Sequence, residues 1–366
     1  MFSRQKYISF VTAFVASILV SSCALLDPEA RSDSKKLTVG TGVPVLSKVE
    51  TQAVATRNAD AADDPEIWAD PRDPSRGLIF GTDKQAGLYI YGLDGAIRGF
   101  IADGRLNNVD LRDGFATPDG QRVLVAASDR GRMGAALYLL NPDTLETSPW
   151  GVVPVDLAEP YGLCMGRRGE AFIIVINGTD GQVRQLRVAA GPDGKPVATV
   201  ERRFGVGSQT EGCVIDDERG LLYIGEEAKG VWRYNLDPAA GDARVQIAAA
   251  PSAMLKADVE GLTLLREGDR TWLIVSSQGD SAFAVWRVDG ETPVYGGRFS
   301  PVAGNGIDAV TGTDGVAALG GRVGQFPEGL VVMQDDSDSE SEAPVARARQ
   351  NFKLVDWRDV KAALGL

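Results

Sequence analysis

Six short segments of this chain start on polar or acidic residues and run straight into apolar ones. They are "DDPEIWAD" from residue 63, "NNVDLRDG" from 107, "EPYGLCMG" from 159, "TEGCVIDD" from 210, "VEGLTLLR" from 259 and "GTDGVAAL" from 312. Counted on Asp63, Asp110, Tyr161, Glu211, Glu260 and Asp314, they recur at intervals of 47 to 54 residues. A second series of apolar runs follows, and these end in Asp83-Lys84, Asp129-Arg130, Glu226-Glu227 and Gln278. With Asp64, Asn107, Asn108, Asp258 and Asp308, the two series supply many carboxylate and amide oxygens and two cations. Hard oxygen donors suit Ca²⁺ or Mg²⁺, and a mixed set of acids, amides and backbone carbonyls favours Ca²⁺, which takes about six to eight oxygens. Lys84 and Arg130 among such ligands would hold an oxyanion, the lysine as a point charge and the arginine as a fork. Taken singly, each acid reads as a turn or capping residue and each cation as a solvated rim charge. Recurrence in phase is what argues for a shared site.

Composition narrows the chemistry. The chain has 366 residues and no histidine, which excludes Ser-His-Asp and Cys-His nucleophile systems and His-ligated zinc. The net charge is −12, a surface that repels nucleic acid, so an anionic substrate needs a mediating cation. The N-terminus reads as an export leader: "MFSRQK" is basic, and Tyr7–Val20 is apolar but short for a membrane span of ~20 residues. It ends in Val20-Ser21-Ser22-Cys23, which resembles a bacterial lipoprotein cleavage box. The expectation is a signal peptide over 1–22, a lipid on Cys23 and, because residue 24 is Ala, a destination at the outer membrane, with no other membrane attachment. Residues 23–55 read as a tether and an entry strand, and 56–366 as the folded domain.

The elements that must position these residues are short strands. Each marker opens one strand, a second follows about twenty residues on, and a third ends in an Asp-Gly or Asp-Pro type turn, as in "GLYIYGLDG". A unit of ~40–50 residues built of several strands is the signature of a β-propeller blade, so the chain is predicted to be all-β, a six-bladed β-propeller. An early strand beside the last blade would close the ring. The first strands would line the central channel, and their starts would share one face with the ends of the second strands. Cys164 and Cys213 read equally well as a disulfide or as two small buried thiols. "QDDSDSESEAP" (334–344) reads as a solvated acidic loop and "WRDVKAALGL" as a short terminal helix.

The strings "ADDPEIWADPRDPSRGLIFGTDK", "GRLNNVDLR", "SQTEGCVIDDERGLLYIGEE", "DVEGLTLL", "SSQGDSAFAVWR" and "QNFKLVDW" resemble the β-propeller phytases, also called alkaline phytases, from about residue 60 to the C-terminus. The resemblance implies a monomeric, Ca²⁺-dependent enzyme that binds several ions. It would hydrolyse phytate (myo-inositol hexakisphosphate), or its calcium complex, by direct attack of water on phosphorus. It places calcium ligands and water-orienting groups at Tyr161, Glu211, Glu227, Asp258, Glu260, Gln278, Asp308 and Asp63, with Tyr161, Glu211 and Glu260 nearest the chemistry. Lys84 and Arg130 match the ligands of the phosphate being cleaved. Asp64, the Pro65 carbonyl, Asn107, Asn108 and the Val109 carbonyl match a structural calcium site, and Asp314 a further acidic position.

Two departures stand out. Gln85 and Thr179 occupy positions where relatives often carry lysines of a neighbouring phosphate subsite, which implies weaker binding of a second phosphate or altered products. Two other readings use the same face. A calcium-propeller lactonase or another phosphoesterase would not need Lys84 and Arg130, and a non-catalytic envelope propeller, binding protein or peptide, would show calcium-dependent stability without turnover.

Overall fold

A computed structural model describes residues 40–57, 59–338 and 348–366. The expected leader, Cys23 and most of the acidic loop lie outside the described residues. Six sheets form a ring, and the chain is a six-bladed β-propeller. The first strands of the blades are Ala62–Asp70, Leu106–Thr117, Pro160–Arg168, Thr210–Asp216, Val259–Glu267 and Val316–Gly320. Each packs beside the next, and the last packs beside the first, so these six strands wall the central channel. The second strands of the blades carry nearly continuous apolar runs, such as Val123–Ala127 and Phe172–Ile176, because sheets cover both of their faces.

An apolar layer fills each gap between neighbouring blades. Trp68, Phe80 and Tyr138 lie between blades 1 and 2, Cys164, Ile224 and Tyr234 between blades 3 and 4, and Ile79, Tyr91 and Phe352 between blades 6 and 1. Each large side chain buried there contributes roughly 1.5–3 kcal/mol. Cys164 and Cys213 form a disulfide, with Cα atoms 5.5 Å apart, joining the first strands of blades 3 and 4.

The expected closure is present. Blade 6 draws three strands from the C-terminal part of the chain, ending in Asn351–Asp356, and the N-terminal strand Val49–Glu50 pairs antiparallel beside it as the outer strand. Val43–Leu46 adds in parallel to the edge of blade 5, along Val294–Val302. Both segments precede residue 56, within the stretch read as a tether and an entry strand. Asn351–Asp356 passes into a helix, Trp357–Leu364, capped by Asp356, whose side chain accepts from the Arg358 amide. No helix among the described residues is long and apolar enough to cross a membrane.

Candidate active site

One irregularity repeats in blades 1 to 5. The pairing of first and second strands starts at Ala62 with Asp83, Leu106 with Asp129, Pro160 with Gly178, Thr210 with Glu226 and Val259 with Ser277. The register then shifts at once, and normal pairing resumes at Pro65, Val109, Leu163, Cys213 and Leu262. Two residues sit in each shift: Asp63-Asp64, Asn107-Asn108, Tyr161-Gly162, Glu211-Gly212 and Glu260-Gly261. A bulge of this kind breaks the ladder and re-aims side chains, which is how five successive strands turn a functional group toward the channel mouth. Asp314-Gly315 stands just ahead of the first strand of blade 6. In blade 2 the in-phase residue is Asn107, three positions before the Asp110 used as the marker. Asp110 instead binds Arg112 at 2.7 Å and accepts from the Met165 amide.

The glycines have a packing reason. A Cβ on Gly162 would lie 1.8 Å from the Glu211 carbonyl oxygen, and one on Gly212 would lie 2.0 Å from that of Glu260. One on Gly315 would lie 2.2 Å from the Asp64 carboxylate. Each bulge therefore seats the next, and the ligand-bearing residues are spaced by backbone contact.

The second series is also in phase. The second strands end at Asp83, Asp129, Gly178, Glu226, Ser277 and Asp335. The residues that follow are Lys84, Arg130, Thr179, Glu227, Gln278 and Asp336. The last residue of the strand serves the turn in three of these blades. Asp83 accepts from the Gln85 amide, Asp129 from the Gly131 and Arg132 amides, and Glu226 from Ser208 and Trp232 at 2.6 and 2.7 Å. Glu226 is thus a structural acid, and Glu227 is the one at the site.

Glu211, Glu227 and Glu260 converge. All three are buried, and carboxylate oxygens from each lie within 4.8 Å of one another. Oxygens bound to one calcium stand about 2.3–2.6 Å from it and hence up to about 5 Å apart, so this triad fits a calcium ion. Glu260 Oε2 is buried with no hydrogen-bond partner among the described residues. Burial, then Asp63 and Glu260, raises the pKa of Glu211 well above the ordinary carboxylate range. Burial, then Glu227 and Asp314, does the same for Glu260. Such a cluster is stable as trianion only beside positive charge. Asp258 precedes blade 5, and its carbonyl accepts from the Gln278 amide.

Lys84 gathers a second group. Its ammonium lies 2.9 Å from Asp63, 3.1 Å from Asp60 and 3.3 Å from Asp314. Burial alone would lower its pKa, but Asp314, Asp60 and Asp63 raise it well above the usual lysine value. Gln278 donates to the other oxygen of Asp314. Arg130 donates through Nε to Glu159 at 2.8 Å and through Nη1 to Asn107 at 3.3 Å, and its guanidinium carbon lies 5.4 Å from the centre of the Tyr161 ring. Asp60 and Glu159 escaped the sequence reading. Asp60 lies three residues before a bulge, on a loop outside the recurring segments, and Glu159 opens one of those segments two residues before its bulge.

The remaining predicted residues divide in two. Asp64, Pro65, Asn108 and Val109 line a cavity of about 330 Å³ in the channel. Asp64 accepts from the Val109 amide at 3.1 Å, and burial with Asp63 raises its pKa. Asp308 accepts from the ammonium of Lys353, which is fully buried and also 3.0 Å from Asp335 and 3.1 Å from Glu50. Lys353, unmarked in the sequence, thus ties Asp308 into the closure of the ring. Gln85 is exposed and donates to the Asp60 carbonyl.

The fold and the site define a propeller whose channel mouth presents a carboxylate triad beside paired cations, a class suited to metal-assisted chemistry on an anion. The family model described as Phytase matches residues 8–366, and the chain belongs to this family. It is 34% identical over 332 residues to the "3-phytase" of Bacillus subtilis (strain 168), covering 88% of this chain and 85% of that protein. Among solved structures, the WD40 repeats of RRP9 are similar with a TM-score of 0.47 at 11% identity, over 88% of this chain and 99% of that one. A chain of the crystal structure of a nidogen/laminin complex has a TM-score of 0.45 at 15% identity, over 75% of this chain and 95% of that one.

Proposed function

We propose that the chain is a calcium-dependent phytase that hydrolyses phosphate monoesters of myo-inositol hexakisphosphate by direct attack of water. The convergence of Glu211, Glu227 and Glu260 within 4.8 Å of one another, with Lys84 and Arg130 in phase on the same face, carries this reading. Lys84 and Arg130 bind oxygens of the phosphate to be cleaved. A phosphate entering beside Lys84 competes with Asp60, Asp63 and Asp314, so it binds when those acids are otherwise neutralised. Glu211 or Glu260 orients a water and accepts its proton as the water oxygen bonds to phosphorus, the phosphorus–oxygen bond to inositol breaks and the inositol oxygen takes up a proton. Tyr161 donates a hydrogen bond to a phosphate oxygen. The triad with Asp258, Gln278 and neighbouring acids would hold calcium, which when bound would supply positive charge against the phosphate and lower the pKa of a water beside it.

The test is phosphate release from phytate with Ca²⁺, with EDTA, and in Glu211→Gln and Lys84→Ala variants. Release is expected to cease in EDTA, to fall about 10²-fold or more in Glu211→Gln, and to show a raised KM in Lys84→Ala. Release unaffected by EDTA would refute the mechanism. From the sequence of residues 1–23 we also propose attachment to the outer membrane through a lipid on Cys23. Radiolabelled palmitate entering the wild type and not Cys23→Ser would support it.

A further inference from the structure

The resemblance assigns Asn107 to a structural calcium site, but both ends of its side-chain amide make hydrogen bonds elsewhere. Nδ2 donates to Glu211 Oε1 at 2.6 Å and to Asn108 Oδ1 at 3.1 Å, while Oδ1 accepts from Arg130 Nη1 at 3.3 Å. All three groups are buried, and Asn107 is wholly so. Both ends of one amide are therefore used, the donor end on the carboxylate and the acceptor end on the guanidinium. Glu211 is also fixed from behind, since Asn177 Nδ2 donates to its backbone carbonyl at 3.1 Å.

The geometry points to Asn107 as a positioning residue for hydrolysis, one that aims Glu211 through an N–H donor and ties it to Arg130. This rests on the function proposed above. The amide occupies one oxygen of Glu211, which fixes the torsion that presents the other. It also links a group that orients water, in blade 4, to a group that holds phosphate, in blade 2. A carboxylate at this position would keep an oxygen for Arg130 or for a metal but would lose the donor and repel Glu211. Metal ligation and positioning thus make opposite predictions for one isosteric change.

The experiment compares wild type, Asn107→Asp, Asn107→Ala and Asp64→Asn by two readouts: kinetics on phytate, and the rise in Tm on titrating calcium into the EDTA-treated protein. Positioning predicts that Asn107→Asp and Asn107→Ala both lose kcat by about 10- to 100-fold, with KM within about threefold of wild type because Glu159 still holds Arg130. It also predicts that Asn107→Ala keeps the calcium-induced rise in Tm that Asp64→Asn reduces. The inference is overturned if Asn107→Asp retains kcat, or if Asn107→Ala loses the calcium response as Asp64→Asn does. Should Asn107→Asp fail to fold, the kcat and calcium response of Asn107→Ala decide the matter. A wild type that releases no phosphate would instead overturn the proposed function, and this inference with it.

Discussion

Asp83 and Glu226 end equivalent strands, and their side chains turn back onto the protein, the first to cap a backbone amide, the second to receive Ser208 and Trp232. The next residue in each blade, Lys84 or Glu227, faces the site. One position of phase separates a structural acid from a functional group. The same phase places Thr179 in blade 3, in the slot that Lys84 and Arg130 fill in blades 1 and 2. Gln85 lies beside Lys84 and reaches only a backbone carbonyl. A second phosphate bound beside these two positions, as the resemblance to the family implies, would meet no cation from either side chain. Gln85→Lys with Thr179→Lys is expected to lower the KM for phytate several-fold while leaving that of a singly phosphorylated ester nearly unchanged. Steady-state kinetics on the two substrates would check this, and an unchanged KM for phytate would count against the subsite.

At the scale of the strand, the bulge and its glycine are the device. Gly212 lets the start of blade 4 lie against the Glu260 backbone, so Glu211 and Glu260 are set by contact rather than by flexible side chains. Gly212→Ala would place Cβ against a backbone carbonyl that cannot move without shifting blade 5. It is expected to lower kcat at least about tenfold and to destabilise the fold by about 1–3 kcal/mol, measured by phosphate release and denaturant unfolding. The closure strand has its own device. Lys353 meets Asp335, Asp308 and Glu50 at the seam, and Glu50 arrives on the N-terminal strand. Burial would lower the pKa of Lys353, but Asp335 and Asp308 raise it, and burial lifts Asp335 to about 7 despite the lysine. Lys353→Met leaves the acids without their cation and is expected to cost about 3–5 kcal/mol. Chemical denaturation would read this, with proteolysis between residues 40 and 60 reporting release of the closing strand.

For the molecule as a whole, a face crowded with buried acids makes stability depend on cations and on pH. Burial and like charges raise the pKa values of Asp64, Glu211, Glu260 and Asp314 well above their unfolded values, 3.8 for Asp and 4.5 for Glu. A raised folded pKa contributes stability that is complete below the unfolded value and is lost as pH rises through the folded one. In EDTA the protein is therefore expected to lose stability as pH climbs from about 4 toward neutrality. Calcium should flatten that slope, because cations neutralise the same carboxylates. Thermal melts at pH 5 and pH 8, with and without Ca²⁺, would show it; an equal slope in both would mean that the acids do not bind the ion.

The sequence by itself determined the repeat, and through it the architecture. Apolar strands spaced about fifty residues apart have one economical way to bury their faces, which is to pack as blades around an axis. It also determined the chemical type of the site, since a chain without histidine and rich in in-phase acids must work through oxygen ligands. Tertiary structure decided which acids meet. Asp60 and Lys353 lie outside the six recurring segments and Glu159 only opens one of them, and their roles arise from contacts across loops and across the seam of the ring. The in-phase residue of blade 2 is Asn107, because the bulge common to blades 1 to 5, which leaves no mark in hydrophobic periodicity, falls at Asn107-Asn108 and not at Asp110. Cys164 and Cys213 had two equal readings until the first strands of blades 3 and 4 were neighbours. Periodicity reports which face of a strand is buried, whereas partnership depends on distances that only the closed ring sets.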